Sequence, residues 1–279
     1  MVPPSRCSRA AILVDSMPVM DTSRLSVPAA VLSKDLRRAL RMARDLGLQG
    51  VELDARHALE PELMTQTGLR QIRKWLGDAG VVVSAIAFRT RGGYGDPERL
   101  EGRITATKAA LKLAHGLGAR LVLNHVGDIP PEPTGPQWQL LVDVLTDLGQ
   151  WGEHVGATLC AEAGRAAPGD LQRLLAAIPA GTLACDLVTG ALVVHDHDPV
   201  AAVATLGHHV AYVHATDAVP GAFAGHGRAV ILGTGQVDFA AVFGAVEERA
   251  YRGWIGIEPV EERDARVELA DAMAHLAAL

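Results

Sequence analysis

From residue 24 onward the sequence alternates short apolar runs with longer amphipathic stretches, and this alternation occurs eight times. The runs are apolar almost throughout, as in strands whose two faces are both buried in a parallel sheet. They are RLSVPAAV, GVELDA, VVVSAIAF, ARLVLNHVG, ATLCAE, TLACD, HVAYVH and WIGIE. Eight strand–helix units over roughly 250 residues predict an α/β protein that forms one (β/α)8 TIM barrel. A doubly wound sheet would need a glycine-rich phosphate turn after its first strand, and the sequence has none there.

The beginning of the chain lacks this pattern. We expect an irregular N-terminal extension over residues 1–22, followed by the barrel over residues 23–279. A basic start followed by AAILV is similar to a signal peptide, but the apolar stretch is short and Asp15 interrupts it. Met17 and Met20 are alternative start positions. No linker rich in Pro, Gly or Ser divides the remainder, which favours a single domain.

Charge and hydropathy argue against several classes of partner. The formal net charge of −6 disfavours nucleic acid, because binding to phosphate backbones needs a basic surface. No apolar run is long enough to cross a membrane. Cys160 and Cys185 lie within apolar runs, where buried reduced thiols are expected. We therefore expect a cytoplasmic protein without a nucleic-acid or membrane partner, and whether it forms a homo-oligomer stays open.

Four apolar runs in the second half of the chain end in an acidic residue or a histidine. These residues are Glu162, Asp186, His214 and Glu258. Any one of them alone would be read as a solvated strand end, but barrel active sites lie at the carboxyl ends of the strands. Four such residues at consecutive strand ends predict one shared site. Three carboxylates and one imidazole suit a divalent cation that keeps open positions for a substrate.

The alternation of side chains along a strand predicts which residues accompany this site. Tyr212 should share a face with His214, and Gly256 should share a face with Glu258. Since glycine has no side chain, Gly256 would leave room near the site. The interval from His214 to Glu258 is longer than the preceding ones, which predicts an inserted loop before the seventh helix.

Seven motifs, in this order and spacing, carry a resemblance to a known family. They are GLQGVELDA, ALKLAHGLGARLVLNHVG, CAEAG, CDLVTG, YVHATD, RAVILGTGQVDF and RGWIGIEPV. The chain from about residue 24 resembles the xylose-isomerase-like TIM barrel family of sugar and sugar-phosphate isomerases and epimerases. The resemblance implies one bound divalent ion, Mn²⁺, Mg²⁺ or Co²⁺, with Glu162, Asp186, His214 and Glu258 as its ligands. It also implies that Arg228, just before the G-x-G loop, contacts the substrate.

Two positions depart from the family pattern. Where the family commonly has a histidine three residues after the aspartate of the sixth strand, this chain has Thr189. The usual glutamate of the G-x-G loop is Thr234. The first departure removes an imidazole that would orient the substrate. It therefore weakens the prediction that the protein epimerises a free ketohexose.

The function implied by the resemblance is a divalent-metal-dependent isomerase or epimerase of a sugar, a keto-sugar or a related polyol. A metal chelated by two substrate oxygens would stabilise an enediolate. Glu162 and Glu258, on strands separated around the barrel, would remove and return the proton on opposite faces. Asp186 and His214 would serve mainly as metal anchors.

Further candidates lie at the ends of earlier strands. His125 ends the fourth strand and is a candidate for substrate contact, with a hydrogen-bonded rim position as the alternative. Glu52 ends the second strand and is a candidate for binding a substrate hydroxyl, with pairing to an arginine such as Arg89 as the alternative. Arg89 and Arg91 would meet an acidic substrate or lie in a solvated loop.

Other functions fit the same residues less well or differently. A lyase, a dehydratase or an eliminating deglycosidase of keto-glycosides would use the same metal but expel a leaving group. An abasic-site endonuclease shares the barrel, but it needs additional histidines, and this chain has Thr189, Gly227 and Ala229 at the positions concerned. A barrel without activity is disfavoured by the intact set of four strand-end residues.

Overall fold

The computed structural model describes residues 24–260 and 265–279, so the predicted extension over residues 1–22 lies outside the described residues and stays a prediction. The strands of the described ranges are β1 (Leu25–Pro28), β2 (Gly50–Asp54), β3 (Val82–Ala87), β4 (Leu121–Asn124), β5 (Thr158–Ala163), β6 (Leu183–Val188), β7 (Val210–Ala215), β8 (Asp217–Val219), β9 (Arg228–Val230) and β10 (Trp254–Ile257). Eight of them close a barrel in the order β1-β10-β7-β6-β5-β4-β3-β2, and every pairing in it is parallel. The predicted (β/α)8 TIM barrel is confirmed.

Helices follow the strands and surround the barrel. They are α1 (Ala29–Leu32), α2 (Leu36–Asp45), α3 (Gln66–Ala79), α4 (Leu100–Leu117), α5 (Gly135–Val155), α6 (Pro168–Ala176), α7 (Thr189–Val194), α8 (Pro199–Leu206), α9 (Phe239–Glu247) and α10 (Ala265–Ala277), with 3-10 turns at Pro61–Leu63 and Gly207–His209. None of the described helices is long and apolar enough to cross a membrane.

Helix α3 illustrates how the sequence defines these elements. Thr65 caps its beginning, and the hydroxyl oxygen accepts a hydrogen bond from the amide of Gly68 at 3.1 Å. The helix ends at Gly80, whose φ of 69° is left-handed and favours glycine. Leu69, Ile72 and Leu76 recur with helical spacing and are buried. The apolar face therefore packs inward, while the charged residues of the same helix face solvent.

The centre of the barrel is filled by side chains from several of its strands. Ala85, Leu123, Cys160 and Tyr212 form a small buried cluster, separate from the larger core between strands and helices. The Ser26 and Ser84 hydroxyls, 2.5 Å apart, lie within hydrogen-bond reach of the Tyr212 hydroxyl. This packed interior leaves the ends of the barrel as places for a site.

The inserted loop between β7 and α9 contains a hairpin that the sequence did not predict. Its strands, β8 and β9, pair antiparallel outside the barrel, with Ala218 opposite Ala229. Each strand has three residues and lacks a long apolar run, so the sequence pattern did not indicate it. The hairpin places Arg228 at the same end of the molecule as the carboxyl end of β7.

Candidate active site at the carboxyl ends of the strands

His214 lies between two carboxylates deep in the barrel mouth. Its Nδ1 donates to Asp186 Oδ2 at 2.7 Å, and its Nε2 donates to Glu52 Oε2 at 2.9 Å. All three residues are buried. Because carboxylates only accept, an imidazole that bonds to both must carry a proton on each nitrogen. The structure therefore holds a histidine cation between β2 and β6.

The electrostatics of this triad favour the protonated form of His214. Burial lowers the pKa of His214, but the charges of Asp186 and Glu52 outweigh burial and raise it well above its usual value. Burial raises the pKa of Asp186 to about 6, against the opposing effect of His214. The Oδ1 atom of Asp186 is buried without a hydrogen-bond partner among the described residues. An unsatisfied carboxylate oxygen of this kind is a ready ligand for a cation.

Two register irregularities coincide with these carboxylates. The pairing of β2 with β3 shifts between Val51 and Glu52, and the pairing of β6 with β7 shifts between Cys185 and Asp186. Bulges next to sites re-aim side chains out of the regular alternation. Glu52 lies in the middle of β2 rather than at its end, which corrects the prediction from the sequence. Its hydrogen-bond partner is His214, while Arg89 forms its ion pair with Glu162 and feels the charge of Glu52.

Glu162 forms an ion pair with Arg89, which follows β3. The distance from Arg89 Nε to Glu162 Oε1 is 2.6 Å, and the side chains are 42% and 18% exposed respectively. Burial alone would lower the pKa of Arg89, but the charges of Glu162, Glu52 and Glu258 raise it above its usual value. Arg89 therefore stays a cation among carboxylates of three different strands.

Glu258 follows β10 directly and is exposed at the barrel mouth. Two residues earlier, Gly256 pairs in register with His214. A Cβ on Gly256 would lie 2.7 Å from the Tyr212 hydroxyl oxygen and 3.2 Å from His214 Cδ2. The space left by the absent side chain of Gly256 is therefore filled by Tyr212 and His214, which corrects the prediction that it would leave room near the site.

His125 lies at the rim, where it joins two loops. Its Nε2 hydrogen-bonds with the carbonyl oxygen of Thr90, and the amide of Thr90 donates to Asn124 Oδ1 at 3.0 Å. Gly93 and Gly127 hold the same two loops together, since a Cβ on either glycine would overlap the backbone of the other. This network fixes the segment after β3, which carries Arg89, against the segment after β4.

Thr189 and Arg228 do not take part in the contacts among Glu52, Glu162, Asp186, His214 and Arg89. Thr189 is buried, and its hydroxyl lies 2.5 Å from the carbonyl oxygen of Thr216, so it ties α7 to the end of β7. Arg228 is exposed on β9. Its predicted contact with the substrate stays a prediction.

Asp217 is an important residue that sequence reasoning missed. Its buried carboxylate accepts hydrogen bonds from the amides of Gly233, Gly235 and Val237 at 3.0, 2.7 and 3.1 Å. These bonds shape the G-x-G loop beside the site. The available signal was an acidic residue in YVHATD followed by a loop whose glycines expose their amides.

The four predicted metal ligands are gathered at one end of the barrel but do not converge on one point. Glu162 and Asp186 are register neighbours, and Asp186 contacts His214. Across residues 24–260 and 265–279, no three His, Cys, Asp or Glu side chains are arranged to hold a metal ion. Their chemistry nevertheless fits a divalent ion, since it combines oxygen donors, one imidazole and the unpartnered Asp186 oxygen. In this structure Glu162 pairs with Arg89, and His214 is bonded to both Asp186 and Glu52.

The family follows from comparison of the sequence. A family model described as xylose isomerase-like TIM barrel matches residues 40–279. The chain belongs to this family. A search of curated proteins found no match.

Solved structures of xylose isomerase-like barrels share this fold. A xylose isomerase domain protein from Planctomyces limnophilus is 22% identical, with a TM-score of 0.80, 91% of this chain and 95% of the other being covered. A xylose isomerase-like TIM barrel protein from Mycobacterium smegmatis, in complex with magnesium, is 18% identical with a TM-score of 0.71, covering 90% and 88%. A D-psicose 3-epimerase is 14% identical with a TM-score of 0.73, covering 91% and 97%. These likenesses establish the fold.

Proposed function

We propose that the protein is a divalent-metal-dependent isomerase or epimerase of a sugar, a keto-sugar or a related polyol. The observation that carries this proposal is the cluster of Glu52, Glu162, Asp186 and His214 at the carboxyl end of the barrel, with Glu258 at its rim. Family membership supports it, as does the presence of an epimerase and a magnesium complex among the similar structures.

In this proposal Glu162, Asp186, His214 and Glu258 would hold the metal, and His214 would bind it through Nδ1 after that nitrogen loses its proton, since Nε2 is bonded to Glu52. When bound, a divalent ion supplies a Lewis acid that polarises a carbonyl and makes the neighbouring C–H more acidic. Asp186 offers its free Oδ1, and Glu52 keeps the imidazole of His214 oriented through its hydrogen bond at Nε2. Such an orienting carboxylate fixes the ring that serves as a ligand.

The proton chemistry is assigned to the two carboxylates nearest to solvent. Glu162 and Glu258 lie on strands separated around the barrel by β6 and β7. A substrate bound between them would present opposite faces of its reacting carbon to the two groups, so one removes a proton and the other returns one. Arg89 orients the carboxylate of Glu162 through their ion pair. The expected substrate is a small carbohydrate.

A product analysis in D₂O tests this function. The Mn²⁺-loaded protein is incubated with a panel of ketoses and keto-glycosides, and the products are separated and analysed by mass spectrometry. We expect an isomeric product that carries one deuterium at the reacting carbon, and at least a 100-fold loss of rate in Glu162→Gln and Glu258→Gln. Products of unchanged mass and configuration across the panel would contradict the proposal.

Elimination is the second candidate, and the position of Thr189 favours it. Thr189 stands where an imidazole would orient a substrate, and its hydroxyl is bonded to the backbone carbonyl of Thr216. This position therefore offers no group to orient a substrate. A lyase, a dehydratase or an eliminating deglycosidase would remove the same proton and expel a leaving group from the neighbouring carbon. In the same assay it would give an unsaturated product that lacks water or an alcohol.

A further inference from the structure

Arg89 forms an ion pair with a proposed catalytic carboxylate, and the proposed mechanism does not require this pair. Its guanidinium lies 2.6 Å from Glu162 Oε1 and feels the charges of Glu52 and Glu258. Glu162 is also one of the proposed metal ligands. The same carboxylate is thus bound by a permanent cation of the protein.

The charges around Arg89 indicate that it would compete with a divalent ion for the carboxylate of Glu162. Four carboxyl groups, those of Glu52, Glu162, Asp186 and Glu258, surround only two basic side chains, Arg89 and His214, so acidic groups outnumber basic ones whatever the charge of His214. The cluster therefore keeps an excess of negative charge, which attracts a divalent ion. Such an ion would repel the adjacent guanidinium, and both would need Glu162.

The backbone and the side chain of Arg89 differ in how firmly they are held. The carbonyl oxygen of Arg89 accepts a hydrogen bond from Arg56 Nη1 at 2.6 Å, and the next residue, Thr90, is bonded to Asn124 at 3.0 Å. The side chain, in contrast, is 42% exposed. The backbone at Arg89 is therefore anchored by hydrogen bonds, while part of the side chain already faces solvent.

We propose that Arg89 is an internal counter-ion that competes with the divalent metal for Glu162 and turns outward when the metal binds. This inference rests on the proposed function, since it requires a metal at these carboxylates. It makes Arg89 a positioning residue that weakens metal affinity and balances the carboxylates of the metal-free protein.

Calorimetric titration with Mn²⁺ tests this proposal. The metal-free wild type is compared with Arg89→Gln, with Arg89→Lys, which keeps a charge, and with Arg91→Gln, a matched loss of an exposed guanidinium two residues away. We expect Arg89→Gln to bind Mn²⁺ at least 10-fold more tightly, Arg89→Lys to lie between, and Arg91→Gln to match the wild type. An equal or weaker affinity of Arg89→Gln would overturn the inference.

A Glu162→Gln variant separates this inference from the proposed function. If the wild type binds Mn²⁺ and Glu162→Gln binds it less tightly, while Arg89→Gln equals the wild type, only the role of Arg89 fails. If the wild type binds no Mn²⁺, both proposals fail. Thermal unfolding gives a readout without activity, because Arg89→Gln should unfold at lower temperature than wild type without metal and at a similar temperature with saturating Mn²⁺. An unchanged unfolding temperature of the metal-free variant would contradict the counter-ion role.

Discussion

Gly256 lies so close to Tyr212 that a methyl group on its Cα would be 2.7 Å from the phenol oxygen. Tyr212 is fully buried and cannot move away freely. Since overfilling a packed interior costs about 1–3 kcal/mol, we expect Gly256→Ala to lower the free energy of unfolding by that amount. Urea denaturation measures it.

A glycine in an open position provides the control for this substitution. Gly244 lies within α9, and a Cβ there would meet nothing within 4 Å. Because glycine is unfavourable inside helices, Gly244→Ala should raise stability by about 0.5–1 kcal/mol. Equal effects of the two substitutions would contradict the packing argument.

The protonation of His214 depends on Glu52 and can be observed directly. Because the charge of Glu52 raises the pKa of His214, Glu52→Gln removes that contribution. We expect the apparent pKa of His214 in the metal-free protein to fall, so the ring loses its proton at lower pH. Nitrogen-15 NMR titration of labelled histidine measures the change. An unaltered titration in Glu52→Gln, with exposed Glu60→Gln as the control, would contradict the arrangement described.

Asp217 is predicted to stabilise the G-x-G loop. In Asp217→Ala the amides of Gly233, Gly235 and Val237 lose their acceptor. Hydrogen bonds to a charged group contribute about 1.5–3 kcal/mol each, so a loss of at least about 2 kcal/mol is expected in urea denaturation. Asp217→Asn, which keeps one carbonyl oxygen, should lose less. Faster proteolysis of the loop in Asp217→Ala would locate the effect.

The two cysteines of the described ranges should not react in the folded protein. Burial, together with the charge of Asp186, raises the pKa of Cys160 and of Cys185 well above its usual value. Since the thiolate is the reactive form, neither thiol should react with DTNB at pH 8 until urea unfolds the chain. A Cys7→Ser variant removes the remaining thiol. Rapid reaction of that folded variant would show that the barrel centre is accessible.

The sequence predicted the barrel because strands buried on both faces have a distinctive composition. It also located Glu162, His214 and Glu258 at the carboxyl ends of their strands, where the structure has them, whereas Asp186 lies two residues before the end of β6. Their side-chain partners could not be predicted, since Glu52 and His214 are 162 residues apart and Arg89 and Glu162 are 73 residues apart. Only the closed barrel and the shifts in strand register bring these pairs together.

The contact between Gly93 and Gly127 has a consequence for engineering the protein. Because neither position accepts a side chain without displacing the other backbone, the segments after β3 and β4 are interdependent parts of one surface. A library that varies only one of them would mostly sample misfit combinations. Transplanting both segments together, with their glycines, is the way to exchange this quarter of the barrel rim for that of another family member.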